Sequence, residues 1–131
     1  MFEKILLYID SSESTRTLAL WTLKFAKFFH ARIFAVFIIS QPDSKPISKN
    51  KTQKIISNQE ETAWSLLYEI EDDAFEENVK ISLIVEEGRR EDKLIEVLLG
   101  FEIDVVIISG QSKLDFKELI ERCQGKMLII K

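Results

Sequence analysis

The sequence has one cysteine, Cys123, and one histidine, His30, in 131 residues. A lone cysteine forms no internal disulfide, which fits a reducing compartment and leads us to expect a cytoplasmic protein. With His30 far from Cys123 in sequence, no metal-ligating constellation can be assembled. Glycine and proline are scarce, at 4 and 2 residues, which excludes a fibrous or low-complexity chain. Long hydrophobic runs are missing too. The longest, such as Ile33 to Ile39, fall well short of the roughly 20 residues that span a bilayer, so no membrane association is expected. Met1 leads almost directly into a strand pattern, so no secretory leader is expected. An excess of basic charge is also absent. The chain has 18 Lys and Arg against 22 Asp and Glu, a net charge of -4, with both signs interspersed. Nucleic acid rewards a concentrated basic face, so it is not an expected partner. No Ser-His-Asp set, paired catalytic carboxylates or P-loop is present, and no enzyme activity is expected.

What is there is a hydrophobic content of 46%. A chain of this length buries roughly two-thirds of its unfolded surface, enough for one domain covering residues 1–131. Lys4 to Ile9 (KILLYI) is apolar without polar alternation, the pattern of a strand covered on both faces. Asp10, Ser11, Ser12 and Ser14 supply helix-capping chemistry. From Thr15 to His30, Leu18, Trp21, Phe25 and Phe28 or Phe29 recur at helical spacing. Arg32 to Ile39 is a second buried strand, followed by a polar loop over Ser40 to Asn50 that contains both prolines. Ile56, Ala63, Leu66, Ile70 and Ala74 mark one face of a long helix whose other face is acidic, most simply a solvated surface. Val79 to Val85 alternates partly, as an edge strand does. Leu94, Ile95, Leu98 and Phe101 outline a third helix, and Asp104 to Ser109 a fourth strand. Phe116, Leu119, Ile120 and Cys123 give a fourth helix capped by Gly125, and Lys126 to Ile130 a fifth strand. Strands alternating with helices imply a parallel sheet in an α/β fold with helices on both faces.

In such a sheet, ligands bind beyond the carboxyl ends of the strands, where strand order reverses. The segments at that edge are Asp10-Ser11-Ser12, Ser40-Gln41, Glu86 to Arg90 and Ser109 to Lys113. Asp10 with Ser11 reads first as a strand stop and helix cap, Arg89 and Arg90 as solvated surface, and Cys123 as core. Trp21 and Trp64 read as core or interface residues.

A strand ending in Asp10-Ser11-Ser12, the element order, Glu87-Gly88 after the third strand and Ser109-Gly110 after the fourth together resemble the universal stress protein family. The resemblance covers essentially the whole chain. It implies a three-layer α/β/α domain with a five-stranded parallel sheet in order 3-2-1-4-5 (adenine nucleotide alpha hydrolase-like), and a homodimer. It also implies an adenine-nucleotide pocket, which carries over here to Ile9, Asp10, Ile38, Ser109, Gly110 and Lys113.

The chain departs from the family's ATP-binding pattern, G-x-x-G-x(9)-G-[S/T], after its first glycine. The second glycine falls on Lys113, and the third with its Ser/Thr partner falls on Cys123 and Gln124, inside a helix. The connection from Gly110 to the last strand is shorter by roughly nine residues than the resemblance implies. Each lost charge-assisted hydrogen bond to phosphate is worth roughly 1.5–3 kcal/mol. Losing two or three weakens binding by about a thousandfold. The expectation is therefore a non-catalytic, regulatory or stress-response protein acting through protein contacts, with ATP or AMP bound weakly or not at all. Its dimer would form along the C-terminal edge strand, because an apolar edge such as KMLII needs covering. The alternative is an adenine-nucleotide-binding switch or weak ATPase with a remodelled pocket. A phosphorelay receiver is set aside, since serines follow Asp10 and the chain's last pattern is a strand.

Overall fold

A computed structural model describes residues 2–40 and 49–131. Most of the loop expected over Ser40 to Asn50 lies outside the described residues, Gln41 included. In chain order the elements are β1 (Lys4–Ile9), α1 (Ser14–Phe29), β2 (Arg32–Ile39), α2 (Lys49–Glu76), β3 (Ile81–Glu87), α3 (Arg90–Gly100), β4 (Val105–Ile108), α4 (Phe116–Arg122) and β5 (Met127–Ile130). All strands pair in parallel, in the order β3-β2-β1-β4-β5. This is the three-layer topology that the family resemblance implies.

The unbroken apolar runs form strands because both of their faces are covered. Along β1, Ile5, Leu7 and Ile9 face one core cluster, while Leu6 and Tyr8 face the other. In β2 the same alternation sends Ile33, Ala35, Phe37 and Ile39 one way and Phe34, Val36 and Ile38 the other. Each fully buried Leu or Ile side chain stabilises the fold by about 1.5–3 kcal/mol, so the central strands dominate the energetics. The first face is roofed by α1 through Leu18, Ala19, Leu23 and Ala26, and by α2 through Ala63, Leu67, Ile70 and Ala74. On the second face, α3 packs Leu94, Ile95, Val97 and Leu98, and α4 packs Leu119 with Cys123. Cys123 is buried, as expected.

The helix ends depart from the sequence reading in an informative way. The N-cap of α1 is Glu13, with no side-chain cap bond, so the serines ahead of it are free for other partners. His30 closes α1 in the left-handed region at φ 54°, and its amide donates back to the last turn. The chain leaves α4 through two left-handed residues, Gln124 at φ 53° and Gly125 at φ 76°, so the turn starts one residue before the expected glycine.

The chain crosses from one half of the sheet to the other between β3 and β4, so strand order reverses between β1 and β4. The carboxyl ends of β1 and β4 are therefore neighbours, which brings Asp10 beside the segment that starts at Ser109.

Candidate functional site

Asp10 directly follows β1, at the carboxyl edge of the sheet. Its Oδ1 accepts from the Ser12 amide and from Thr15 Oγ1, both at 2.9 Å, and from the Ser12 hydroxyl. The amide bond from two residues on is the Asx turn that ends the strand. Oδ2 accepts from Ser112 Oγ at 2.8 Å, across the crevice from the β4–α4 connection. Burial alone would push this carboxyl up. Ser12, Ser112 and Thr15 outweigh it and hold Asp10 below the usual carboxylate range. The chain's own hydroxyls and amide thus engage both carboxylate oxygens.

The opposite wall is built the same way. Ser109 is buried, and its hydroxyl lies 2.7 Å from that of Ser14 and accepts from the Gln111 amide at 3.1 Å. Ser14 in turn lies 3.0 Å from Ser12, so a run of hydroxyls links Asp10 to Ser109. The segment after β4 winds tightly. The Ser112 amide donates to the Ser109 carbonyl at 3.1 Å and the Leu114 amide to the Ser112 carbonyl at 3.0 Å. That winding buries Ser112 and aims it at Asp10. Asp115 then caps α4 by accepting from the Glu118 amide at 3.1 Å. A Cβ added to Gly110 would meet Ile130 Cγ2 at 3.6 Å and the Lys131 backbone at 3.7 Å, ordinary contacts that do not demand glycine.

The structure brings Asp10, Ser109 and Gly110 to one edge but separates the two apolar residues. Ile9 is buried under α1 and α2, whereas Ile38 is buried on the other face. Lys113 is exposed on the same connection. Arg89 lies on the exposed surface, as expected, where it forms ion pairs, while Arg90 is only partly exposed. Arg90 donates to Ser40 Oγ at 2.8 Å and stands beside Tyr8, whose phenol burial pushes up to about 12. Arg89 forks onto Glu118, with one of its two bonds at 2.6 Å. Arg122 bonds both Glu118, at 2.8 Å, and Asp92, at 2.7 Å. Hydrogen bonds from Arg89 and Arg122 bring the Glu118 carboxyl down to about 2. Arg89, at the start of α3, is thus matched by carboxylates of this chain, whereas Arg90 bonds a hydroxyl.

Among the described residues, no group of three or more His, Cys, Asp or Glu side chains could hold a metal ion. No helix there is long and apolar enough to cross a membrane. The model of the universal stress protein family matches residues 1–120. The chain belongs to the universal stress protein family. Solved structures of the family share its fold at low identity. Universal stress protein UspA from Lactobacillus plantarum superposes with a TM-score of 0.84 at 10% identity, covering 98% of this chain and 97% of that one. A universal stress family protein from Burkholderia pseudomallei gives 0.79 at 13% identity, covering 99% and 96%. A universal stress family protein from Arabidopsis thaliana, solved with AMP bound, gives 0.68 at 13% identity, covering 98% and 92%. A search of curated proteins finds no match.

The sequence placed Asp10, Ser14 and the segment Ser109 to Lys113 near this edge, but not their mutual bonds, and Thr15 was not singled out. Thr15 had a usable signal, because it lies one helical turn beyond the end of β1. The bond of Ser112 had none. Its partner is 102 residues away, and only the winding of the β4–α4 connection selects it.

Proposed function

We propose that this universal stress protein is non-catalytic and regulatory, acting through protein contacts without tight ATP binding. One observation carries the reading: Ser112, from the connection where the family pattern has its phosphate loop, occupies Asp10 Oδ2 at 2.8 Å. A nucleotide reaching Asp10 must displace this bond and those of Ser12 and Thr15, and then finds no glycine cradle beyond Gly110. The output is expected to depend on a homodimer. β5 is an edge strand with Met127 and Ile130 exposed, 47% and 44%, and pairing with a second copy would cover both. A cytoplasmic location fits the single thiol. Mass spectrometry of small molecules released from the purified native protein tests the reading. No stoichiometric nucleotide is expected; one adenine nucleotide per chain would overturn it.

A second reading has a specific observation in its favour. Solved relatives carry AMP, dAMP or cAMP, ligands with no triphosphate to grip. An adenine-nucleotide switch, or a weak ATPase, would use Asp10, Ile38, Ser109, Gly110 and Lys113 after the Asp10–Ser112 bond opened. AMP binding much tighter than ATP binding would favour it.

A further inference from the structure

The free edge of β3 and the outer flank of α2 form a second apolar surface, at the far side of the sheet from β5. β3 bonds β2 through alternate residues: the Lys80 carbonyl accepts from the Ile33 amide at 2.9 Å and the Gly88 amide donates to the Ile39 carbonyl at 3.0 Å. In a parallel ladder this alternation turns the backbone groups of Ile81, Leu83 and Val85 outward. Among the described residues no strand pairs with that side. All three side chains point toward α2 and are only partly covered.

α2 lies over β2 and β3, and its α1-facing flank is fixed by Arg16, which pairs with Glu69 and Asp73, each at 2.9 Å. At about 100° per residue, Trp64, Tyr68 and Phe75 fall on the opposite flank, within a sector of roughly 40°. That flank borders the β3 edge. All three side chains are exposed, Phe75 by 86%, and Trp64 stacks on Tyr68 with ring centroids 5.5 Å apart. From Trp64 to Phe75 the helix rises about 16 Å, close to the roughly 20 Å length of a seven-residue strand. The stripe therefore runs the length of the edge. Glu60 and Glu71 border it on one side, Glu61 and Asp72 on the other, and no Lys or Arg occurs from Ser57 to Asn78. The α1 salt bridges employ Glu69, Asp73 and Glu77, leaving these four carboxylates to face solvent.

We propose that this edge binds an extended cationic segment of a partner protein by strand addition. The backbone of Ile81, Leu83 and Val85 would supply the ladder, the aromatic stripe would receive alternate side chains, and the carboxylates would select Lys or Arg. A second copy is a poor occupant, because two-fold pairing would set this acidic flank against itself. The proposal rests on the reading that the protein acts through protein contacts, and it is independent of the Asp10 crevice.

The test titrates the full chain with a fluorescein-labelled decapeptide of alternating Lys and Val, and with its Glu and Val counterpart. Anisotropy gives affinity and amide chemical shifts give location. The Lys peptide should bind and shift Ile81, Leu83 and Val85. Trp64→Ala, Phe75→Ala and the pair Glu71→Lys with Asp72→Lys should each weaken it about tenfold, and the Glu peptide should not bind. Absence of Lys-peptide binding, equal binding of the Glu peptide, shifts confined to β5, or undiminished affinity in Trp64→Ala with Phe75→Ala would each overturn the proposal. Sedimentation of the same samples separates the two readings: an intact dimer that ignores the peptide sinks the β3 edge alone.

Discussion

The Ser112 hydroxyl donates to Asp10 Oδ2 at 2.8 Å, tying the end of β1 to the connection after β4 across 102 residues of sequence. The turn in which the Ser112 amide donates to the Ser109 carbonyl at 3.1 Å buries Ser112 and sets its hydroxyl for this bond. Replacing Ser112 with Ala should cost about 1 kcal/mol, below the usual 1.5–3 kcal/mol of a bond to a charged group because water reaches the half-exposed carboxylate. Urea denaturation reads the change as a lower midpoint at unchanged slope. No change in midpoint would mean that the bond does not hold the loop.

Acid should destabilise the fold. The Asp10, Asp92 and Glu118 carboxyls are all lower in the folded chain than their ordinary values, Glu118 falling from 4.5 to about 2. A depressed carboxyl contributes stability that is present above its unfolded value and lost as pH falls toward its folded one. The urea midpoint should therefore drop between about pH 5 and pH 2, and drop less steeply in Asp10→Asn. A midpoint that is flat or rises over that window contradicts the assignment.

The core prediction concerns the central strand. Leu7 is fully buried between β2 and β4, beneath α1. Leu7→Ala should cost about 2–5 kcal/mol through lost transfer energy and the cavity left behind. Thermal denaturation should place this variant far below one truncated at the exposed Leu20.

Ile130→Asp tests the β5 edge. The substitution puts a charge on an exposed position of the outermost strand, and inward-pointing or edge charges oppose strand pairing. Sedimentation equilibrium should find a dimer for the unaltered chain and a monomer for the variant. A monomeric unaltered chain at micromolar concentration would remove the dimer from the account.

The layout of the fold was legible because unbroken runs such as KILLYI and RIFAVFII have one physical solution, a strand buried on both faces between helices. The strand boundaries moved by one or two residues where apolar pattern and ladder disagree, as at β3, which starts at Ile81 rather than Val79 and continues through Glu86 and Glu87. The place of Asp10 at the carboxyl edge of the sheet was legible, since strand end and topology set it. The bonds that occupy its carboxylate were not, because hydroxyl partners depend on loop winding that no periodicity encodes. Likewise Arg89 reads as solvated surface in the sequence and is exposed, but its partner Glu118 is supplied only by the approach of α4 to α3. The opposite sides of the sheet taken by Ile9 and Ile38 follow from each strand's phase against its neighbours, which the register fixes.

Equilibrium dialysis of ATP against the purified protein tests the central claim most directly. With Asp10 engaged by Ser12, Thr15 and Ser112 and no glycine cradle after Gly110, the account predicts a dissociation constant near or above about 1 mM, a binding energy no stronger than roughly 4 kcal/mol. Stoichiometric binding tighter than about 10 μM, some 7 kcal/mol, would contradict it.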